Sequence, residues 1–358
     1  MFHHLSVVCD DIHNTYKFEN KTLDNGFFET IHETKIKPAD MFSLCIYQSE
    51  NNCEELFTPV ITDTGLCYSF NILGREDISY DHVYNYAQYY RVPHKIAKHF
   101  NWRSGYEEKI GVDAYPRRAI MAGYDHGLVV YLKFNEQIKN PTCTDFLRGF
   151  QVLIHSPWEA PLLQKHSIVL TTNKTAVVGV EAELVQTSVD LIKYKPNKRK
   201  CYLYYEGSLK HFKIYTQSNC VLECRTDHVL KQCGCVEYFM PRNNTTAICG
   251  NSLLECALNA ENDFIEVQKE SKIKGYDYCD CKPACSSLKF SAEISQANYD
   301  EEKLLRRQGL TDMEAKGTAW TLLHIYFKEE YVTALDRNEL HGISDLISNF
   351  GGVLGLFT

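Results

Sequence analysis

The chain has 358 residues, a formal net charge of -8 and a pI of about 6.0, with 44% apolar and 12% aromatic residues. Length and apolar content allow two or three packed domains, and the acidic balance argues against a nucleic-acid partner, which wants a basic face. No stretch approaches the roughly 18 apolar residues of a membrane-spanning helix.

Met1 to Cys9 is broken by Asp10 and Asp11, so it lacks the basic start and apolar core of a signal peptide. Asn14 to Pro38 is polar, with a weak helical pattern over Gly26–Lys37, and Cys45 and Cys53 stand close enough to close a small loop. Phe57–Leu73 alternates β-branched and aromatic residues and predicts a strand carrying Cys67; Arg75–Arg118, rich in Tyr and His, predicts irregular or helical surface. Gly127–Phe134, Gly149–His155, Ser167–Leu170, Thr175–Val185 and Asp190–Tyr194 predict strands. No Gly- or Ser-rich linker divides them, so they share one sheet-based body. Asn219–Gln232 and Glu255–Lys272 predict helices ended by Gly234 and Gly275. Ala297–Arg307 reads as a charged helix and Ala319–Tyr331 as a returning strand. From Gly351 the chain turns apolar and glycine-rich, like the first turns of a membrane segment. The expectation is a fragment lacking membrane segments at both ends.

Ten of the fifteen cysteines lie between Cys201 and Cys285. An even set this dense reads as a disulfide framework formed in an oxidising compartment. The sequons at Asn20, Asn173, Asn243 and Asn244 agree with an exported surface. Zinc is the rival reading, but Cys233-x-Cys235 and Cys279-x-Cys281 fit finger spacing poorly, and His211 and His228 have no partner at that spacing. Cys220 and Cys224, i and i+4 on a helix, lie about 6 Å apart along its axis. Cys279 and Cys281, i and i+2 on an extended segment, lie about 6.6 Å apart. A helix antiparallel to that segment can form Cys220–Cys281 and Cys224–Cys279. Nesting outward adds Cys201–Cys285; nesting inward adds Cys233–Cys256 and Cys235–Cys249. Ten cysteines leave on the order of a thousand connectivities open, so spacing alone does not decide between them.

The run Tyr215-Thr-Gln-Ser-Asn-Cys220-Val-Leu-Glu-Cys224 through Cys233-Gly-Cys235 resembles the extracellular signature of the degenerin/epithelial sodium channel family. Met240-Pro241-Arg242, Cys249-Gly250 and Tyr278-Cys279-Asp-Cys281-Lys-Pro283-Ala-Cys285 continue it. Leu346 to Phe357 resembles the family's entry into its second transmembrane helix. Gly149 to Pro161, Thr187-Ser188 and Arg199-Lys-Cys201 resemble the insect pickpocket branch. The resemblance runs from about Cys45 to Thr358.

It implies an α+β, acid-sensing-channel-like ectodomain: mixed β-sheet palm and β-ball, helical finger, disulfide-laddered helical thumb and knuckle helix. Residues 1–145 become finger with part of the β-ball, 146–200 palm and β-ball strands, and 201–290 the thumb. Residues 291–318 become the knuckle, 319–345 the returning palm strand and wrist, and 346–358 the start of the second membrane helix. The nested ladder is the implied pairing, with Cys45–Cys53 added; Cys67 pairs with a cysteine preceding Met1, and Cys9 and Cys143 stay unassigned. Ser348 falls at the small-residue gating position, and Asn349, Gly351, Gly352 and Gly355 at the pore mouth. The implied function is the extracellular part of a ligand- or mechanically gated, amiloride-sensitive-type sodium channel subunit at the plasma membrane. Its implied partners are sodium ions, two further subunits in a homo- or heterotrimer, the membrane and an extracellular ligand; no cofactor is implied. The family's Gly-x-Ser selectivity stretch, first membrane helix and intracellular gating motif are not in the chain. The alternative is a soluble secreted binding protein derived from such an ectodomain. An enzyme is disfavoured, since no nucleophile elbow, zincin helix or phosphate loop is present.

Overall fold

The computed structural model describes residues 2–9, 22–24, 26–48, 50–51, 53–92, 100–101, 105–107, 109–111, 114–135, 148–300, 303, 306, 317–339, 347–348 and 350. Helix α1 (Phe2–Val8), strand β1 (Thr22–Leu23) and helix α2 (Gly26–Thr34) come first. Helix α3 (Pro38–Met41) runs into β2 (Phe42–Tyr47), which turns back as β3 (Glu50–Asn51). Then come the hairpin β4 (Phe57–Thr62) and β5 (Gly65–Phe70), helix α4 (Arg75–Ile78), and the short pair β6 (Phe100–Asn101) and β7 (Gly105–Tyr106). Strands β8 (Leu128–Asn135) and β9 (Gly149–Val152), helix α5 (Leu163–His166), and strands β10 (Ile168–Thr171) and β11 (Lys174–Thr187) follow. Two single-turn helices, α6 (Val189–Ile192) and α7 (Pro196–Arg199), lead to the long helices α8 (Gln217–Cys233) and α9 (Asn251–Ile273), with β12 (Ile248–Cys249) between them. Strands β13 (Ser287–Asn298), β14 (Thr318–Phe327) and β15 (Thr333–Arg337) complete an α+β fold.

One seven-stranded mixed sheet organises the molecule, in the order β13-β11-β14-β8-β2-β3 with β15 also paired to β11. Strand β11 is its spine. Its fourteen residues are rich in Val and Thr, which suit a pleated surface, and Ala176, Val178 and Val180 are buried. On one side β13 pairs antiparallel with β11 along twelve residues. On the other, β14 pairs parallel with Lys174–Val180, and β15 then pairs parallel with Glu183–Thr187. The chain therefore leaves the sheet after β14 and rejoins the same edge of β11 one segment later. The main core lies under this sheet, where Phe42, Tyr47, Leu128, Val130, Val178 and Leu323 meet the β4–β5 and β9–β10 hairpins. Gly149, at φ 139°, opens β9 because a Cβ there would lie 1.8 Å from the Leu170 carbonyl oxygen. A second core joins α1 and α2 to Tyr89, Tyr238 and Ile248, and a third sits between α8 and α9 around Val229, Val236, Ala257 and Ala260.

Four local expectations change. Phe57–Leu73 is a hairpin, because Asp63-Thr64 and the left-handed Gly65 (φ 106°) make a turn inside the apolar alternation. Gly149–His155 is strand only as far as Val152. Asp190–Tyr194 is not a strand: Val189–Ile192 is helical, and the carbonyls of Ile192 and Tyr194 accept hydrogen bonds from Arg199 in place of a ladder partner. Ala297 and Asn298 extend β13 against Thr175 and Lys174, carrying the sheet past residue 291, while Lys303 and Arg306 are helical.

Candidate functional site

The strongest functional geometry is the α8–α9 hairpin and its attachment to the sheet. Thr216 caps α8 by accepting the Asn219 amide at 3.1 Å, and left-handed Gly234 (φ 72°) closes it by donating to the Leu230 carbonyl at 2.9 Å. Five disulfides brace the hairpin. Cys220–Cys281 and Cys224–Cys279 tie α8 to the segment after α9, with Cα–Cα distances of 5.7 and 5.8 Å. Cys233–Cys256 joins the end of α8 to α9, Cys235–Cys249 closes the connecting loop, and Cys201–Cys285 binds the base. Cys45–Cys53 is a sixth bridge, buried, that ties β2 to the turn after β3.

The partner of α8 is not the extended segment that i, i+2 spacing predicts. Residues around Cys279 and Cys281 are irregular, and Asp280 between them is left-handed at φ 52°. That kink is held by side chains. Lys282 pairs with Asp280, and Tyr202 donates to its Oδ2 at 2.5 Å. The Lys282 bond, then the Tyr202 bond, hold the Asp280 carboxyl below its ordinary pKa. The Tyr215 hydroxyl donates to the Lys282 carbonyl, and Gln217 Nε2 to the Cys281 carbonyl at 3.0 Å.

The base of the hairpin is fused to the sheet. Cys285 lies two residues before β13, and Thr187, the last residue of β11, donates its hydroxyl to the Cys285 carbonyl at 2.6 Å. Buried Arg199 gathers the joint: Nε donates to the Cys201 carbonyl at 3.2 Å, Nη1 to the Ile192 and Tyr194 carbonyls, and Nη2 pairs with Glu206. The residues flanking α6 also grip the end of β15. The Ser188 amide donates to the Arg337 carbonyl at 3.1 Å, and Lys193 Nζ lies 3.5 Å from Glu339. Tyr194 and Glu339 are each other's leading influence, which pulls the Glu339 pKa down and pushes the Tyr194 pKa up.

Beyond Glu339, Ser348 is exposed in a helical stretch, beside exposed Ile347 and Phe350. Asn349, Gly351, Gly352 and Gly355 lie outside the described residues, as do Asn20 and Cys143. Asn173 and Asn244 are exposed, whereas Asn243 is half-buried and its Oδ1 accepts from the amides and hydroxyls of Thr245 and Thr246. Cys9 is disulfide-bonded. Cys67 is a free thiol whose pKa is raised by burial.

Sequence reasoning misses four buried polar residues that position the hairpin. Glu223 accepts the amides of Lys210, His211 and Phe212. Asn219 accepts the Ala160 amide and donates to the Trp158 and Ile214 carbonyls. Asp63 and Arg199 are the other two. Only for Asn219 and Glu223 is there a local signal, since both stand on the cysteine-bearing helix among apolar positions.

Among the described residues no helix is long and apolar enough to cross a membrane. The family model for the amiloride-sensitive sodium channel matches residues 4–358. The chain belongs to this family, whose members are ion channels and not enzymes. It is 28% identical over 347 residues to pickpocket protein 28 of Drosophila melanogaster, covering 92% of this chain and 55% of that protein. Sodium channel protein Nach of the same fly is 23% identical, covering 86% and 52%. Acid-sensing ion channel 1 of Gallus gallus is 21% identical, covering 89% and 52%. The chain spans about half the length of each of these relatives.

Proposed function

We propose that this chain is the extracellular part of a plasma-membrane sodium channel subunit, assembled as a trimer and gated by a ligand or by force. The family match over residues 4–358 carries the reading. In it the seven-stranded sheet is the palm, the laddered hairpin the thumb, and residues 346–358 the approach to the pore. A stimulus displaces the hairpin. The bridges keep the hairpin from absorbing that displacement, and the Cys201–Cys285 base delivers it to β11 and β13. Strand β15, held to β11 and to the 188–199 segment, then draws on the chain leading to Ser348.

The test begins with the complete transcript, whose full-length product is then expressed in oocytes under voltage clamp. The reading expects apolar spans of about 20 residues on both sides. It also expects Gly-x-Ser soon after Phe357 and a sodium-selective, amiloride-blocked current. A signal peptide upstream with a stop after Thr358 would instead establish the secreted binding protein.

A further inference from the structure

Between the 79–90 loop, α2 and the 238–242 loop lies a cavity of about 70 Å³. A single water needs roughly 10–15 Å³ on this measure, so the space holds several waters or one small ion with company. Phe28, Tyr84, Tyr86, Tyr90, Phe212 and Phe239 form much of its wall, and among the described residues no Asp or Glu lines it. Two guanidinium groups do, those of Arg75 and Arg242.

Arg242 is the unusual one. It is 5% exposed, and among the described residues no carboxylate comes within ion-pair distance of it or of Arg75. Its Nη1 donates to the carbonyls of Asn243 and Thr246, and its plane lies 4.5 Å from the Tyr84 ring. Its Nη2 is buried without a hydrogen-bond partner. So is the Nδ2 of Asn85, on the opposing loop and lining the same cavity. The two loops are stitched together beside these groups, with the Tyr84 amide donating to the Arg242 carbonyl at 2.7 Å and Val83 bridging Asn243. A buried cation without a counter-charge is costly, and each orphaned donor adds to that cost. Burial already draws the Arg242 pKa below the ordinary guanidinium value. Donors on two sides, positive charge, aromatic walls and no acid define the complement.

We propose that this cavity binds a small monovalent anion, halide or short carboxylate, held between Arg242 Nη2 and Asn85 Nδ2. The anion supplies the missing counter-charge and clamps the 79–90 loop to the 238–242 loop. The inference concerns the chain alone and does not depend on conduction.

The test uses the 358-residue chain purified without halide. Its melting temperature is followed at matched sodium concentration and ionic strength in chloride, bromide, acetate or bulky gluconate, and bromide-soaked crystals are read for anomalous signal. The small anions should raise the melting temperature by about 2 °C at tenfold saturation. A bromide peak should lie between Arg242 and Asn85. Asn85→Asp, which brings a tethered carboxylate, should be as stable in gluconate as the parent is in chloride and should lose the anion response. Arg242→Gln should also lose it. Equal melting in all salts with no bromide peak there overturns the proposal, as does an anion response that persists in Asn85→Asp. The crystal readout decides alone if the variants fail to fold.

Discussion

Asp63 is buried, and both its carboxylate oxygens serve main-chain donors of another element. Oδ1 accepts the Leu163 amide at 2.8 Å and Oδ2 the Gln164 amide at 3.0 Å, so the side chain caps α5 from a hundred residues away. Its carbonyl accepts the Tyr238 hydroxyl at 3.1 Å, which joins the β4–β5 turn to the hairpin region. Asp63→Ala leaves two amides unpaired and should cost about 2–4 kcal/mol. Asp63→Asn keeps one acceptor and should cost about half that. Chemical denaturation of the purified chain measures both, and equal losses would mean the bond that Asn retains contributes nothing. His155 gives a pH prediction. Its Nδ1 lies 2.9 Å from the Ser156 carbonyl, which can only accept, so Nδ1 carries the proton and Nε2 accepts from Ser69 at 3.0 Å. Burial lowers its pKa, against the Ser156 bond that raises it; burial also lowers those of His211 and His324. The native state thus binds these protons less readily than the unfolded chain, whose histidines titrate at about 6.5. Stability present above that pH is lost as pH falls below it toward the lowered native values. The melting temperature should therefore fall between pH 7 and pH 5, and less steeply in His155→Gln. An unchanged slope in that variant would remove His155 from the effect.

The ladder behaves as an element because its rungs are adjacent. Cys220 and Cys224 are four residues apart on α8, and Cys279 and Cys281 two apart on the return segment. With one rung intact, the other closes only a small ring. Replacing Cys220 and Cys281 by Ala should thus cost about 2–3 kcal/mol, less than the roughly 4 kcal/mol of an isolated 61-residue loop. Removing Cys224 and Cys279 as well leaves Cys201–Cys285 as the nearest outer bridge. That second loss should exceed the first, at about 3–4 kcal/mol. Denaturation of the single-rung and double-rung variants distinguishes this from independent bridges, for which the two losses would be equal. The long helices are legible in the sequence because Gly234 and Gly275 supply left-handed stops after amphipathic runs. Strands β8, β10, β11 and β14 are legible because β-branched residues alternate or cluster between turns. The shape of the return segment is not, since it follows from a lysine, a tyrosine and a left-handed aspartate meeting across 80 residues. Nor is α6, where the five residues Asp190–Tyr194 allow either form and Arg199 decides by taking their carbonyls. The hairpin's dense bracing is written locally in cysteines; its seating by Asp63, Asn219, Glu223 and Arg199 depends on contacts with distant amides and carbonyls.

At the scale of the whole molecule, the question is whether the hairpin drives the segment at Ser348 or merely sits above it. The bonds define one route: ladder to Cys201–Cys285, then Thr187 and the 188–199 segment, then β15 and Glu339. Ser348 lies nine residues beyond Glu339, downstream of every bridge in the hairpin. A lever of this kind predicts an asymmetry between its two ends. In the full-length subunit, Ser348→Val adds bulk at the driven end and should raise resting sodium current severalfold without any stimulus. Removing both rungs, Cys220–Cys281 and Cys224–Cys279, softens the driving end and should reduce the stimulated current while leaving the resting current low. The combination is decisive, because a change downstream of the ladder should not need it. Ser348→Val in the rung-free background should retain its raised resting current, recorded in the same oocytes beside surface labelling to correct for expression. If the raised current disappears with the rungs at equal surface density, the hairpin holds the gate itself. The route through β11 and β15 would then be wrong.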